Sequence, residues 1–535
     1  MTPPNILMIV SDEERRNDWL QGKVSLPAHD RLVRDGLSFN RYYTHSSPCS
    51  PSRASLYTGR YLADHGVVDN VSFPTHTALS PDISTIGSLV TEAGYRSSYL
   101  GKWHLSHTTT PNLSEHGYED WEGDDRNFVG GPCSGRRFDP VIANYATDWL
   151  KKHGNGDTPW FLTVALVNPH DIMWYPIDHV SYQEKNPEDA KLIQAMMDIM
   201  RKGREHIDLE PPPENYPQLF DKLPENFEDD LHTKPEVQRA WRTVRNTEHF
   251  VGSMSLEDHQ SWLRQLDYYA WLHELLDNSL SDILRCLDEL GIYDDTTIIY
   301  TSDHGDACGS HGGLRAKLPC VYEEVMGVPL IIKPARGSAE VGEDGSGGGN
   351  GGNTSQKNQY SSAGQTTDAL ATHVDLAATV CSMAGLNLTD HPTLCGNDLT
   401  PVVSDPAASV RDYVFFSQDS AQSDLICNSR YAVRGFFDGQ TKYARYYGIG
   451  GGIRRDGARD ESGKLIDADA SFEDHDHEWY DHTEDPQELH NLAHHRTHRT
   501  QLRKLFTKLL EIEASELQTP TPKYDGTLIN QPKGI

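Results

Sequence analysis

No apolar run in this sequence approaches the roughly 20 residues that cross a bilayer, which argues against a membrane span. Cysteine is sparse: eight residues, at 49, 133, 286, 308, 320, 381, 395 and 427, form no CxxC pair and no dense framework. They read as mostly reduced thiols. Positive charge is also scarce, with 48 Lys and Arg against 79 Asp and Glu and a formal net charge of −31. That balance argues against nucleic acid and other polyanions as preferred partners. A small anion stays compatible, because local cations in a cleft outweigh a distant, screened surface charge. No basic leader or small-residue cleavage site precedes the apolar stretch Asn5 to Val10, so the expectation is a cytoplasmic protein. With 535 residues the chain is long enough for a large core.

What is present is a recurring form. Asn5 to Val10 (NILMIV) is a short apolar run that stops abruptly at Ser11, Asp12, Glu13 and Glu14. Arg96 to Leu100 ends in Gly101, Lys102, Trp103 and His104; Trp160 to Val167 ends in Asn168, Pro169 and His170; Thr297 to Tyr300 ends in Ser302, Asp303 and His304. Such runs fit strands buried on both faces of a parallel sheet. Each delivers acids, bases or cations just past its carboxyl end, the edge where open α/β sheets bind ligands. Helical patterns lie between them: Ile86, Leu89 and Val90 before Gly94, and a leucine-rich stripe from Leu272 to Leu287 before Gly291. The alternation predicts a doubly wound α/β domain over 1–405. Within it, an insertion at about 171–265 is rich in Trp, Tyr, Pro and acids, and a Gly, Ser and Asn loop at about 337–366 is expected to be flexible. A small antiparallel subdomain over 406–515 and an extended tail over 516–535 complete the division.

The run CSPSRASLYTGR, Cys49 to Arg60, carries the most chemistry. Pro51 suits the first turn of a helix, which puts Cys49 at its positive end and Arg53 one turn on, a seat for a tetrahedral oxyanion. Asp12 and Asp303 come from two strand ends and are positioned to converge on a divalent cation. Hard carboxylates favour calcium or magnesium, and the His304 imidazole widens the choice to manganese.

Together these segments resemble the type I sulfatases, whose CxPxR signature with its TGR ending is matched here. GKWHL at Gly101 to Leu105, PH at Pro169 and His170, SDHG at Ser302 to Gly305, HVDLAATVCSMAGL at His373 to Leu386 and WYDHTEDPQELHNLA near the carboxyl end follow in the family's order. The resemblance implies the alkaline-phosphatase-like fold and a sulfuric ester hydrolase acting on a small aryl or alkyl sulfate. It implies that a maturation enzyme oxidises Cys49 to formylglycine, whose hydrate attacks sulfur and later expels sulfate by returning to the aldehyde.

By the same match Arg53 orients the hydrate, Lys102 binds it and a sulfate oxygen, and His104 is the base that triggers sulfate release. His170 is the acid for the leaving oxygen, Lys317 lies against that same oxygen, and Asn70 is a sulfate contact. One divalent ion, calcium first and manganese second, is held by Asp12, Glu13, Cys49, Asp303 and His304. The sequence departs from the commonest pattern at Glu13, where a second Asp is frequent, and at His304, where Asn is frequent. Lys102 and His104, two residues apart, are expected to share a face of an extended segment. A phosphonate monoester or phosphodiester hydrolase of the same fold, a choline sulfatase and a silent binding protein with unmodified Cys49 are the alternatives, and a homo-oligomer is possible. The histidines from His475 to His498 show no ligand spacing and read as a solvated, partly structural segment.

Overall fold

The computed structural model describes residues 3–20, 22–71, 77–107, 112–123, 130–201, 210–247, 251–317, 319–336, 362–420, 429–449, 465–466 and 470–517. Most of the expected glycine-rich loop and the tail beyond Leu517 lie outside the described residues. The loop's final residues do not continue it: Gln365–Thr367 form a strand.

The main sheet is built from β1 (Asn5–Asp12), β2 (Leu37–Phe39), β3 (Arg96–Gly101), β4 (Asp120–Glu122), β5 (Trp160–Pro169), β6 (Thr296–Ser302), β7 (Leu330–Lys333) and β8 (Gln365–Thr367). Their spatial order is β4-β3-β5-β1-β6-β7-β2-β8. Strands β4, β3, β5, β1 and β6 run parallel, and β7 runs antiparallel to both its neighbours. Both faces of β1 are buried, as its uninterrupted apolar run requires. Ile6, Met8 and Val10 enter the core on one face. Leu7 and Ile9 enter the core on the other.

Helices α1 (Pro27–Asp35), α2 (Cys49–Thr58), α3 (Ile86–Glu92), α4 (Ser134–His153), α5 (His259–Glu289) and α6 (His373–Met383) cover these two faces. Residues of α2, α3 and α6 join the Ile6 side. Residues of α1, α4 and α5 join the Leu7 side. The leucine stripe predicted from Leu272 to Leu287 is the buried face of α5.

A second, antiparallel sheet follows: β9 (Val414–Gln418), β10 (Ala432–Phe437) and β11 (Thr441–Ile449) in sequence order, with β12 (Leu465–Ile466) and β13 (Asp476–Asp481) both pairing β11. Helix α7 (Arg499–Glu516) closes it through Leu502, Leu505, Leu509 and Ile512.

The parallel register sets the active edge. Ser11 lies opposite Ser302, Gly101 opposite Ala165, and Asp12 opposite Pro169 after a register shift that places the extra residues in β5. The residues just beyond these ends, Lys102, His170 and Asp303, therefore leave the sheet on one side.

Candidate active site

Every residue of α2 is buried, and Cys49 is its first. The Ser50 amide at the exposed start of the helix donates to the Asn70 side-chain oxygen at 3.0 Å, so Asn70 caps α2. At the other end Gly59 takes a left-handed conformation, and a side chain there would strike Ala377 and Leu394. The sequence read Asn70 as a sulfate contact; in the structure its oxygen holds the start of the Cys49 helix.

Around the Cys49 sulfur, ligand atoms of Asp12, Asp303 and His304 gather so that all four lie within 4.8 Å of one another. Each carboxylate divides its oxygens. Arg53 takes Oδ2 of both, at 2.8 Å each, and Lys102 Nζ approaches Asp12 Oδ2 at 2.6 Å. The Oδ1 atoms turn to the centre. Asp303 Oδ1 is steadied by the amides of Glu13 (3.1 Å) and His304 (2.9 Å). His304 Nδ1 is 3.0 Å from the Gly305 carbonyl; when it carries the proton, Nε2 presents a lone pair toward Cys49 Sγ at 3.2 Å. Two carboxylate oxygens, an imidazole nitrogen and the residue-49 side chain fit a hard or borderline divalent cation.

Glu13 stands at the edge of this set. Its Oε2 receives Lys317 Nζ at 2.7 Å and lies 3.5 Å from His170 Nε2, and its carboxyl also meets that of Asp306. His170 also reaches Asp12 Oδ1 at 3.9 Å. A Cβ at Gly130 would overlap the His170 ring, so a glycine is required beneath it. His104 does not lie on an extended segment as expected: its φ is +60°, and this left-handed turn after Gly101 sets its direction. Glu13, Cys308, His311 and Ala316 also have positive φ. Non-glycine residues pay for that conformation, and here they gather where chemistry is concentrated.

Burial works on every group. It pushes the Cys49 thiol and the Glu13 carboxyl up, with Asp12 adding to the first and Asp306 to the second. Asp12 is held well below the usual carboxylate range in spite of burial, because Lys102, His170 and Arg53 surround it. Burial, reinforced by Lys102 and Arg53 at His104 and by Lys317 and Lys102 at His170, drives both imidazoles well below their ordinary value. They are neutral at physiological pH. Lys317 is raised against its burial by Cys49 and Glu13, and keeps its proton.

Several contributors escaped the sequence reading. His373 Nε2 faces the Ser302 carbonyl at 3.0 Å, and its Nδ1 faces Ser52 Oγ at 3.1 Å, while Ser52 Oγ donates to the Asp303 carbonyl. Behind β1, Glu14 accepts from Ser11 Oγ and Tyr300, and His29 bridges toward Glu14 and Asp277. Asp306 and Arg15 lie beside Glu13's loop. The SDHGD and SDEERR runs contained both, and HVD contained His373, but only their motif-matching neighbours drew attention.

Elsewhere, Glu323, His482 and Glu488 form a further acid and imidazole cluster, but Lys442 Nζ already sits in it, on Glu323 and on Glu488 at 2.7 Å. The other late histidines join no such cluster among the described residues.

With the site defined, its relatives can be compared. The family described as Sulfatase matches residues 4–386. The uncharacterized sulfatase YidJ of Escherichia coli K12 is 26% identical over 366 residues, 63% of this chain and 64% of that protein, so the chain spans a little under two thirds of this relative. The N-acetylglucosamine-6-O-sulfatase of Bacteroides thetaiotaomicron is 25% identical over 448 residues, 77% of this chain and 72% of its own length. Among solved structures, one bound to its substrate D-glucosamine-2-N,6-O-disulfate superposes with a TM-score of 0.67 at 18% identity, covering 96% of this chain and 98% of that one. The phosphonate monoester hydrolase of Agrobacterium radiobacter superposes with a TM-score of 0.62 at 20% identity, covering 97% of each. These likenesses share the fold.

Proposed function

Since this chain belongs to the Sulfatase family, its pattern running from residue 4 to 386, we propose that it cleaves the S–O bond of small sulfate esters with a formylglycine hydrate made from Cys49. The observation that carries this reading is the convergence of Asp12, Asp303, His304, Arg53 and Lys102 on the first residue of a buried helix. A divalent ion held by Asp12, Asp303 and His304, with Glu13 at its edge, supplies Lewis acidity toward a sulfate oxygen; calcium suits the carboxylates and manganese is the second choice.

The chain's own residues do the rest. Lys102, 3.8 Å from the residue-49 side chain, holds the nucleophile and a sulfate oxygen, and Arg53 locks the two aspartates that frame it. His104, a neutral imidazole, accepts the proton whose loss returns the hydrate to aldehyde and frees sulfate. On the opposite side the leaving oxygen needs a proton. Lys317, firmly charged, stabilises the negative charge that develops there, and neutral His170 donates an N–H hydrogen bond to the same oxygen.

The leaving group is a small sugar or aryl alcohol. Aryl sulfate was the expectation from sequence; the N-acetylglucosamine-6-O-sulfatase likeness supports a hydroxylated ring. Choline sulfate is disfavoured at Trp19, because the Arg15 guanidinium already covers that ring at 4.2 Å. Protein coexpressed with a maturation enzyme should turn over 4-nitrophenyl sulfate and glucosamine 6-sulfate faster than phenyl phosphonate or a phosphodiester. Preference for phosphorus would overturn the reading in favour of the phosphonate hydrolase alternative.

A further inference from the structure

Arg15 is buried to within 6% exposure, three residues past Asp12, yet its Nε and Nη1 have no hydrogen-bond acceptor. No carboxylate lies within 4.0 Å of it among the described residues. Its guanidinium rests on the Trp19 ring, which itself stacks on Tyr269 and on Phe220 from the insertion. Arg53 sits between Asp12 and Asp303, Arg411 on Asp375, and Arg434 on Asp419, while the buried Arg315 is taken by the main-chain carbonyls of Arg245, Gly252 and Tyr175. Burying a guanidinium without a counterpart costs several kcal/mol, so its retention points to an anion that arrives from outside.

Arg15 is tied to the metal-ligand loops at both ends of its own backbone. Its amide donates to the Tyr269 hydroxyl (3.1 Å), which donates on to the Glu13 carbonyl (2.6 Å). Its Cβ abuts Gly305, the residue after His304, closely enough that a Cβ there would stand 2.9 Å away. Of the acceptors nearby, Glu324 Oε2 is taken by His311 Nε2 at 3.3 Å and the Glu13 and Asp306 carboxyls meet each other, which leaves Asn226 Oδ1 without a partner among the described residues. These belong to one neighbourhood. Asp306 lies against Glu13, and Asp306, Arg15 and Glu13 all act on the Cys308 thiol. Arg15 acts on Glu324, whose other oxygen takes the Asn226 amide at 2.9 Å. The row begins at Glu13, whose second oxygen meets Lys317 and His170 where the leaving oxygen is expected. Its open positions are the Asn226 acceptor and a pair of arginine donors, the complement of a ligand with one oxyanion and a hydroxyl or amine donor.

We propose that Arg15 is the anchor of a leaving-group subsite that takes a second acidic group of the substrate, with Asn226 accepting a hydroxyl or amine donor. The preferred substrate is then a sulfate ester that carries a further sulfate or carboxylate. This rests on the sulfatase reading and adds to it the identity of the leaving group.

The test uses two matched pairs: glucosamine 2-N,6-O-disulfate against glucosamine 6-sulfate, and 4-sulfooxybenzoate against phenyl sulfate. Each pair differs in the second anion, presented on a sugar or on an aryl ring. Affinity is measured by calorimetry in the full-length Cys49→Ala protein with calcium, where no ester is consumed, and kcat/KM in the matured protein. A charge-assisted contact should favour the dianionic member of one pair by about 10- to 100-fold. Arg15→Gln should bring that ratio close to one, and Arg15→Lys should keep an intermediate value. The pair that responds identifies a sugar or an aryl leaving group. A ratio near one in both pairs, or a ratio unchanged by Arg15→Gln while both members weaken together, overturns the proposal. Arg15-dependent binding with no sulfate turnover by matured protein would instead overturn the sulfatase reading alone.

Discussion

Two parts of this molecule bury charge densely and handle it differently. At the junction with the antiparallel sheet, Lys442 is closed in by Glu323 and Glu488, Arg434 by Asp419, and Arg445 by Glu513. Around Cys49 the charges are as deeply buried, but Arg15 has no carboxylate partner among the described residues, and ligand atoms of Asp12, Asp303 and His304 face one another. Charges paired with acids hold two sheets in one arrangement. A buried guanidinium or a converging donor set marks a position that something else completes. Four clusters among the described residues have metal-like spacing, and this contrast separates two of them: the His482 cluster already contains a lysine, whereas at Cys49 the donor atoms face one another.

The largest expected effect sharpens the functional side of the comparison. Lys317→Ala should lower kcat by about 10²- to 10⁴-fold on alkyl sulfates, and by much less on 4-nitrophenyl sulfate, whose phenol leaves without help. Equal losses on both substrates would remove Lys317 from the leaving oxygen. Next come the two buried arginines. Arg53→Met and Arg434→Met each strand a buried carboxylate and should destabilise by about 3–5 kcal/mol in thermal or urea unfolding. Calcium should recover much of the loss at Arg53, whose aspartates are the metal donors, and none at Arg434. Equal rescue, or none at either, would break the distinction between open and closed networks.

How much of this was legible beforehand follows from how each residue gains its meaning. Cys49, Lys102, His104, His170, Asp303 and His304 stand directly after strand ends or at a helix start, so local pattern and family resemblance both found them. The four strands and the α5 stripe were legible because burial on both faces, or on one helical face, writes itself into consecutive residues. Arg15, Glu14, Asp306 and His373 gain their roles only from residues far off in sequence, such as Tyr269 for Arg15 and Ser302 for His373. His104's left-handed turn was hidden for a related reason: a non-glycine residue gives no local sign that packing will hold it there.

The smallest effect lies between the two regions, in the Glu14, His29 and Asp277 network. Burial opposes the His29 charge, but Asp277 and Glu14 outweigh it and raise the imidazole to about 9. A base raised on folding contributes stability that is fully present below its unfolded value of about 6.5 and is lost as pH rises through about 9. The Tm should therefore fall across that window in the wild type, and fall less in His29→Gln. A fall of the same size in both would show that His29 carries no such linkage.

The claim on which the account turns is that residue 49, once oxidised, is the nucleophile. Matured wild-type protein and Cys49→Ala, each loaded with calcium, are compared for sulfate release from one ester while peptide mass spectrometry reads residue 49. The account predicts formylglycine at position 49 of the active wild type and a loss of about 10⁵-fold or more in Cys49→Ala. Retained turnover in Cys49→Ala, or full activity in protein whose Cys49 is an intact thiol, would contradict it.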